Sequence, residues 1–130
     1  MPGLTRRRPV TGSWLDLPIG LANAHLAWHV HGLDRSDGWF EVGLHLEHPE
    51  RDRNLAGLEW LTEHQQDLER IVGEPLLLQE YGKRWARAYA KREAPSLDES
   101  VQDWALQTMV RFYDALEQLD VVAQMRDLEW

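Results

Sequence analysis

Two segments near the N-terminus alternate between apolar and polar residues, which is the pattern of a half-buried β-strand. In residues 24–31 and 39–48 every second residue is apolar, and these residues are Leu26, Trp28, Val30, Phe40, Val42, Leu44 and Leu46. The intervening residues 32–38 are rich in Gly, Asp and Ser and predict a turn. We therefore expect the two segments to pair as an antiparallel hairpin.

The spacing of apolar residues then changes to that of a helix, which we place near residues 53–72. Asp52 or Asn54 suits the N-cap, because both side chains can accept a hydrogen bond from a free main-chain N–H. Gly73 suits the first position past the helix end, and Pro75 prevents continuation.

A second strand pair follows. Residues 75–81 form an apolar run, and residues 83–92 place Trp85, Arg87 and Tyr89 on one face and three alanines on the other. A glycine between the two segments provides a tight turn. We expect a second hairpin, whose larger side chains would cover the helices.

The last element is a long amphipathic helix. Ser96 and Glu99 have the spacing of a capping box at its start, and its apolar stripe extends to about residue 119 and can continue toward residue 126. The predicted fold class is α+β, with an antiparallel sheet of two hairpins (β-β-α-β-β-α order) and two helices packed on one face. Residues 1–13 contain two prolines and two glycines and are expected to be an irregular lead-in to a single domain over residues 14–130.

Composition excludes several classes of protein. Of the 130 residues 43% are apolar and 28% are charged, as in ordinary soluble globular domains. The absence of cysteine excludes a disulfide framework, a zinc ribbon and a thiol nucleophile, and it fits a reducing cytoplasm. No apolar run approaches the ~18–20 residues that span a bilayer. We therefore expect a cytoplasmic protein that does not associate with a membrane.

The charge is acidic overall but unevenly distributed. The net charge of −8 disfavours binding of duplex nucleic acid by the whole surface, because the phosphates would be repelled. Five bases without an acid occur in residues 83–92, and they are Lys83, Arg84, Arg87, Lys91 and Arg92. They could pair with acids on neighbouring elements, such as Arg87 with Glu69, or form an anion-binding strip. Aromatic residues between the bases would suit a single-stranded nucleic acid. The Arg6–Arg8 cluster is expected to be a solvated tail.

Histidines are concentrated in the first hairpin, which holds most of the six in the chain. Symmetric pairing about the turn would bring four metal-ligating side chains to one face: His25, His29, Glu41 and His45. His31 and Glu47 would extend this face, and Ala27 and Gly43 would leave room for a ligand. Imidazoles and carboxylates in this arrangement can bind zinc or manganese, whereas the alternative is a solvated or subunit-facing surface.

Residues 54–88 resemble an uncharacterised bacterial domain family. The matching residues are Asn54, Leu58, Leu61, Leu68, Glu69, those at 72–76 and 82–84, and Arg87. Leu78, Ala86 and Ala88 depart from the family's pattern. Members often lie C-terminal to a restriction-endonuclease-like nuclease domain, so the resemblance implies an accessory module in a restriction or defence system, without known catalytic residues.

Three functions remain open at this stage. The first is a non-enzymatic module that docks a partner protein or forms a homodimer through Trp39, Trp60 and the strand at residues 83–91, because tryptophan is enriched at interfaces. The second is a nucleic-acid-binding accessory domain that uses Lys83, Arg84, Arg87 and Lys91. The third is a metal-dependent enzyme built on His25, His29, Glu41 and His45. No catalytic residue or cofactor is assigned. Trp28, Trp85 and Trp104 are expected in the core or covering the sheet.

Overall fold

Strands and helices alternate along the chain in the computed structural model, which describes residues 14–31, 38–93 and 98–130. Within these ranges there are five strands and four helices. Their bounds are β1 (Trp14–Pro18), β2 (Ala24–His31), β3 (Trp39–Leu46), α1 (Arg51–Glu63), α2 (Gln65–Val72), β4 (Leu77–Tyr81), β5 (Trp85–Glu93), α3 (Glu99–Gln118) and α4 (Val121–Asp127). The predicted α+β class is confirmed.

The strands form one antiparallel sheet in the order β1-β2-β3-β5-β4. The register of the first hairpin is the predicted one, since His25 pairs with His45 and Ala27 with Gly43. The expected count of four strands is wrong, because β1 pairs with β2 as an additional edge strand. This strand is short and ends in Pro18, a residue that an edge strand tolerates.

The core lies between one face of the sheet and the helices. Its sheet side consists of apolar residues of β2, β3 and β5, namely Leu26, Trp28, Phe40, Val42, Leu44, Leu46, Ala86, Ala88 and Ala90. The Trp28 and Phe40 rings meet edge to face at 5.5 Å. Gly57 of α1 lies so close to the sheet that a Cβ there would come within 2.8 Å of Leu46 Cδ1. The expectation that Trp85, Arg87 and Tyr89 cover the helices is therefore wrong, because the alanine face of β5 does so.

The predicted helix over residues 53–72 is divided into α1 and α2 at His64. The His64 ring stacks on Trp60 at 3.9 Å, and its Nδ1 lies 2.7 Å from the Trp60 carbonyl oxygen. This local contact competes with continuation of the helix. The first helix also begins earlier than expected, with Glu50 rather than Asp52 or Asn54 as its N-cap residue. Gly73 ends α2 with φ of 79°, as predicted.

The last predicted helix is also divided. It ends at Gln118, and α4 follows after Asp120, whose φ is 53°. The observed N-cap of α3 is Asp98, whose carboxylate accepts a hydrogen bond from the Val101 N–H at 2.9 Å. The predicted cap Ser96 lies outside the described residues. So do the lead-in at residues 1–13 with its arginine cluster, and residues 32–37 of the turn.

No helix in the described ranges combines the length and the apolar character that crossing a membrane requires.

Candidate functional site

The polar face of the sheet lies opposite the helices, and we call it the histidine face. Its described side chains include Asp16, His25, His29, His31, Trp39, Glu41, His45, Glu47, Leu77, Gln79, Tyr81, Trp85, Arg87, Tyr89, Lys91 and Glu93. Alternation along the strands explains this set, because every second residue of a strand points to the same face. The pairing of β3 with β5 joins the histidines of one hairpin to the aromatic and basic side chains of the other.

His45 occupies the centre of this face and is 2% exposed. Its ring stacks on His25 at 5.3 Å between centroids and meets the His29 ring at 5.0 Å. Burial, with the neighbouring His29, His25 and Arg87, lowers the pKa of His45 to about 3. Burial also lowers the pKa of His29, although Glu41 opposes this effect. The central imidazole is therefore neutral at physiological pH.

One group of possible metal ligands consists of His25, His45 and Glu47. Nδ1 of His45 lies 3.6 Å from one carboxylate oxygen of Glu47, and Nδ1 of His25 lies 4.0 Å from the other. The Tyr81 hydroxyl lies 2.9 Å from Nδ1 of His45 and donates a hydrogen bond to Glu47. Burial and this hydrogen bond raise the pKa of Tyr81 above its ordinary value.

Asp16 faces the opposite nitrogen of the His25 ring. Its Oδ1 lies 3.6 Å from Nε2 of His25, whereas Nδ1 of the same ring is directed toward Glu47. A carboxylate beside Nε2 favours the tautomer that carries its proton there. The lone pair of Nδ1 is then directed toward Glu47.

The second group of possible ligands consists of His29, His31 and Glu41. The Glu41 carboxylate already accepts hydrogen bonds from Arg87 at 2.7 Å and from the Trp39 indole N–H at 2.9 Å. Nε2 of His31 lies 3.4 Å from the same carboxylate. A guanidinium beside Glu41 neutralises the charge that a cation would need, so this group is the poorer metal site.

The four candidates that the sequence singled out are thus divided between two groups. His25 and His45 belong to one and His29 and Glu41 to the other, and the ligand that completes the first is Glu47. Tyr81 was not identified from the sequence, because its approach to His45 depends on the pairing of β3 with β5. The room expected beside Gly43 does not exist: a Cβ there would lie 2.5 Å from Cβ of Tyr89.

The basic residues of β5 and its turn do not share one surface. Arg87 and Lys91 lie on the histidine face, where Lys91 sits 4.6 Å above the Trp39 ring. Arg92 lies on the other face, 3.3 Å from the Ser100 hydroxyl. Exposed Lys83 and Arg84 lie in the turn before β5.

The prediction that Arg87 pairs with a helix acid such as Glu69 is wrong. Arg87 bonds to Glu41 on the adjacent strand, whereas Glu69 accepts a hydrogen bond from the Leu76 N–H at 2.7 Å.

The tryptophans proposed for an interface differ in their surroundings. Trp39 is half-buried, and His31 stacks on it at 4.7 Å. Trp60 is half-buried on α1 and packs against the core. Trp85, which was expected to be in the core or to cover the sheet, is 38% exposed beside Tyr81.

Comparisons with known proteins identify one family. The model of a domain of unknown function, DUF4268, matches residues 2–126. Neither the curated proteins nor the solved structures contain a match to the chain.

Proposed function

Since the chain belongs to the DUF4268 family, whose function is unknown, we propose a function from the surface of this domain. The domain is a non-enzymatic interaction module that pairs with a second copy of itself through the outer edge of β4. The observation that carries this proposal is an edge strand flanked by exposed apolar side chains.

β4 is the last strand in the sheet order, so one side of its main chain has no strand partner among the described residues. Unpaired N–H and C=O groups on an edge are a template for another strand. Leu77 of this strand is 47% exposed, and Trp85 on the neighbouring strand is 38% exposed on the same face. Residues 77–81 contain no lysine and no proline, the usual devices that block such pairing.

The sequence of β4 is compatible with antiparallel pairing to itself. A two-fold axis at Gln79 would place Leu77 opposite Tyr81 of the second copy and Glu80 opposite Leu78. Like charges are therefore not opposed across the junction. The Glu80 carboxylate is also neutralised within its own chain, since Arg51 donates to it at 2.7 Å. The result would be an isologous dimer with one continuous sheet.

The test is the molar mass in solution, measured by size-exclusion chromatography with light scattering. We expect twice the chain mass of 15.2 kDa for the wild type. Leu77→Lys should give the monomer mass, because a charge on the edge opposes strand addition. Val110→Lys is the matched control, since Val110 is likewise exposed, at 38%, but lies on helix α3 rather than on the sheet edge. This variant should remain dimeric.

Two outcomes would overturn the proposal. One is a wild type that stays monomeric at the highest attainable concentration. The other is a dimer that dissociates equally in the Leu77→Lys and Val110→Lys variants. Far-ultraviolet circular dichroism of each variant shows whether the fold is retained, so that loss of the dimer is not confused with unfolding.

From the family resemblance we also propose a cellular setting: the chain is an accessory module of a bacterial restriction or defence system in the cytoplasm. A two-fold module would suit this setting, because it would place two associated nuclease domains side by side, one for each DNA strand. Deleting the coding sequence from its host should then lower protection against phage. A host that remains equally protected would contradict the setting while leaving the dimer proposal intact.

A further inference from the structure

We propose that His25, His45 and Glu47 bind one divalent first-row transition-metal ion, for which Zn²⁺ is the probe. This site is independent of self-association through β4, and nothing in the dimer proposal requires it.

The donor set is the first argument. Two imidazole nitrogens and one carboxylate are ligands that zinc and related ions accept, and three protein ligands leave coordination positions open. The facing atoms lie 3.6 and 4.0 Å apart. Two donors that each bind an ion at about 2.1 Å are separated by at most about 4.2 Å, so these spacings need only small side-chain adjustments.

The orientation of the donors is the second argument. The stacked His25 and His45 rings, inclined by 20°, both present Nδ1 toward Glu47. Asp16 lies beside the far nitrogen of His25, and a carboxylate in this position is the usual outer partner of a metal-bound histidine. The Tyr81 hydroxyl lies between the other two donors, and because it donates to Glu47 it accepts from Nδ1–H of His45. A bound ion therefore replaces the hydroxyl at this point, and the proton of His45 moves to Nε2.

The placement of His45 is the third argument. A side chain that is 2% exposed in the centre of a sheet face would be more favourably apolar if it served packing alone. The side chains of His25 and Glu47 are 21% and 27% exposed, so an ion can reach the site from solvent. In the neighbouring group of His29, His31 and Glu41, the charge of the carboxylate is already neutralised by the Arg87 guanidinium.

The experiment is zinc titration of tag-free protein by isothermal calorimetry, with the visible absorption spectrum of bound Co²⁺ as a second readout. We expect one ion per chain and a Co²⁺ spectrum with nitrogen and oxygen ligands. His25→Gln and Glu47→Gln should each weaken binding by more than the roughly 10–100-fold that loss of an outer partner costs. Asp16→Asn, the outer partner itself, should weaken it by about 10-fold.

His31→Gln is the matched control, because it removes a histidine of the same face from the second group. It should leave zinc affinity and the Co²⁺ spectrum unchanged. The proposal is overturned if the wild type binds neither ion, or if His31→Gln weakens binding as much as His25→Gln. Near-ultraviolet circular dichroism of the metal-free variants checks that they are folded. Glu47→Gln is the more conservative of the two variants, since its amide oxygen can still accept from Tyr81.

Discussion

Nη1 of Arg87 donates a hydrogen bond to the carboxylate of Glu41 at 2.7 Å, across the two strands that join the hairpins. The side chains of this pair are only 15% and 5% exposed, although they lie on the sheet face opposite the helices. The guanidinium also lies 4.2 Å from the centroid of the Tyr89 ring. The pair therefore stabilises the connection between the two halves of the sheet.

Arg87→Ala is expected to lower the free energy of unfolding by about 3 kcal/mol, because it leaves the Glu41 carboxylate buried without its partner. Urea denaturation monitored by circular dichroism measures the change. Lys91 is exposed, and Lys91→Ala removes only the cation above the Trp39 ring. This variant should lower the free energy of unfolding by no more than about 1 kcal/mol. The double variant Glu41→Gln, Arg87→Met should be more stable than Arg87→Ala, because it leaves no unpaired buried charge. If Arg87→Ala were as stable as the wild type, the stabilising role of the Arg87–Glu41 pair would be contradicted.

Asn54 is the buried polar residue that joins α1 to two other segments. Its side-chain oxygen accepts from the His48 N–H at 2.9 Å, and its amide donates to the carbonyls of His48 and Arg84, both at 2.8 Å. Asn54→Ala should lower the free energy of unfolding by about 2–4 kcal/mol, because three main-chain groups lose their hydrogen-bond partner. Asn54→Asp should cost at least as much, since a carboxylate cannot donate to the two carbonyls.

Denaturation curves of both Asn54 variants test this, with the exposed Asp52→Asn on the same helix as a control that should change stability by less than about 0.5 kcal/mol. An Asn54→Asp protein as stable as the wild type would show that the two donated hydrogen bonds contribute little.

Gly43 is required where β3 approaches β5. A Cβ at this position would lie 2.3 Å from the Ala88 carbonyl oxygen, a main-chain atom that cannot move independently. Gly43→Ala should therefore lower the free energy of unfolding by about 3 kcal/mol or more. Thermal unfolding provides the measurement.

Gly57→Ala is the matched comparison within the same core. Its added Cβ would meet the ends of Leu46 and Met125, which can shift, and alanine is favoured over glycine in a helix by about 1 kcal/mol. The net change should be less than about 1 kcal/mol. If both glycine variants lost the same stability, the special crowding at Gly43 would be refuted.

Trp130 attaches the C-terminal segment to the turn between β1 and β2. Its indole N–H donates to the Ala22 carbonyl, and its ring meets the His48 ring at 5.1 Å. Trp130→Ala should cost about 1–2 kcal/mol and speed amide exchange in residues 19–23. The exposed Leu128→Ala should change both readouts little, and unchanged exchange in Trp130→Ala would contradict the attachment.

The sequence was informative where neighbouring segments pair with each other. The alternation of Leu26, Trp28 and Val30 with polar residues predicted both the first hairpin and its register, because side chains of a strand alternate between faces. It did not predict the interruption at His64, since the contact of its ring with Trp60 depends on side-chain geometry rather than on apolar spacing. The strand β1 was considered as a short edge strand at Trp14 but was not counted in the predicted order, because five residues are too few for a reliable period.

The residues of the candidate site were also predicted only in part. The cross-strand approach of His25 and His45 followed from the hairpin alone. Arg87 and Tyr81 reach this face only because β3 pairs with β5, a contact between distant segments that no local pattern specifies. For that reason an anion-binding strip remained an open alternative from the sequence, whereas the structure distributes the bases over two faces and a turn.

The strand order has a consequence for how fast the chain folds. Each hairpin can form from neighbouring residues, but the junction of β3 with β5 joins Glu41 to Arg87, which are 46 residues apart. Closing a loop of that length costs chain entropy before the new contacts compensate for it, and such non-local pairing slows folding. We therefore expect the rate-limiting step to be the joining of two preformed hairpins, with α1 and α2 as the connection that brings them together.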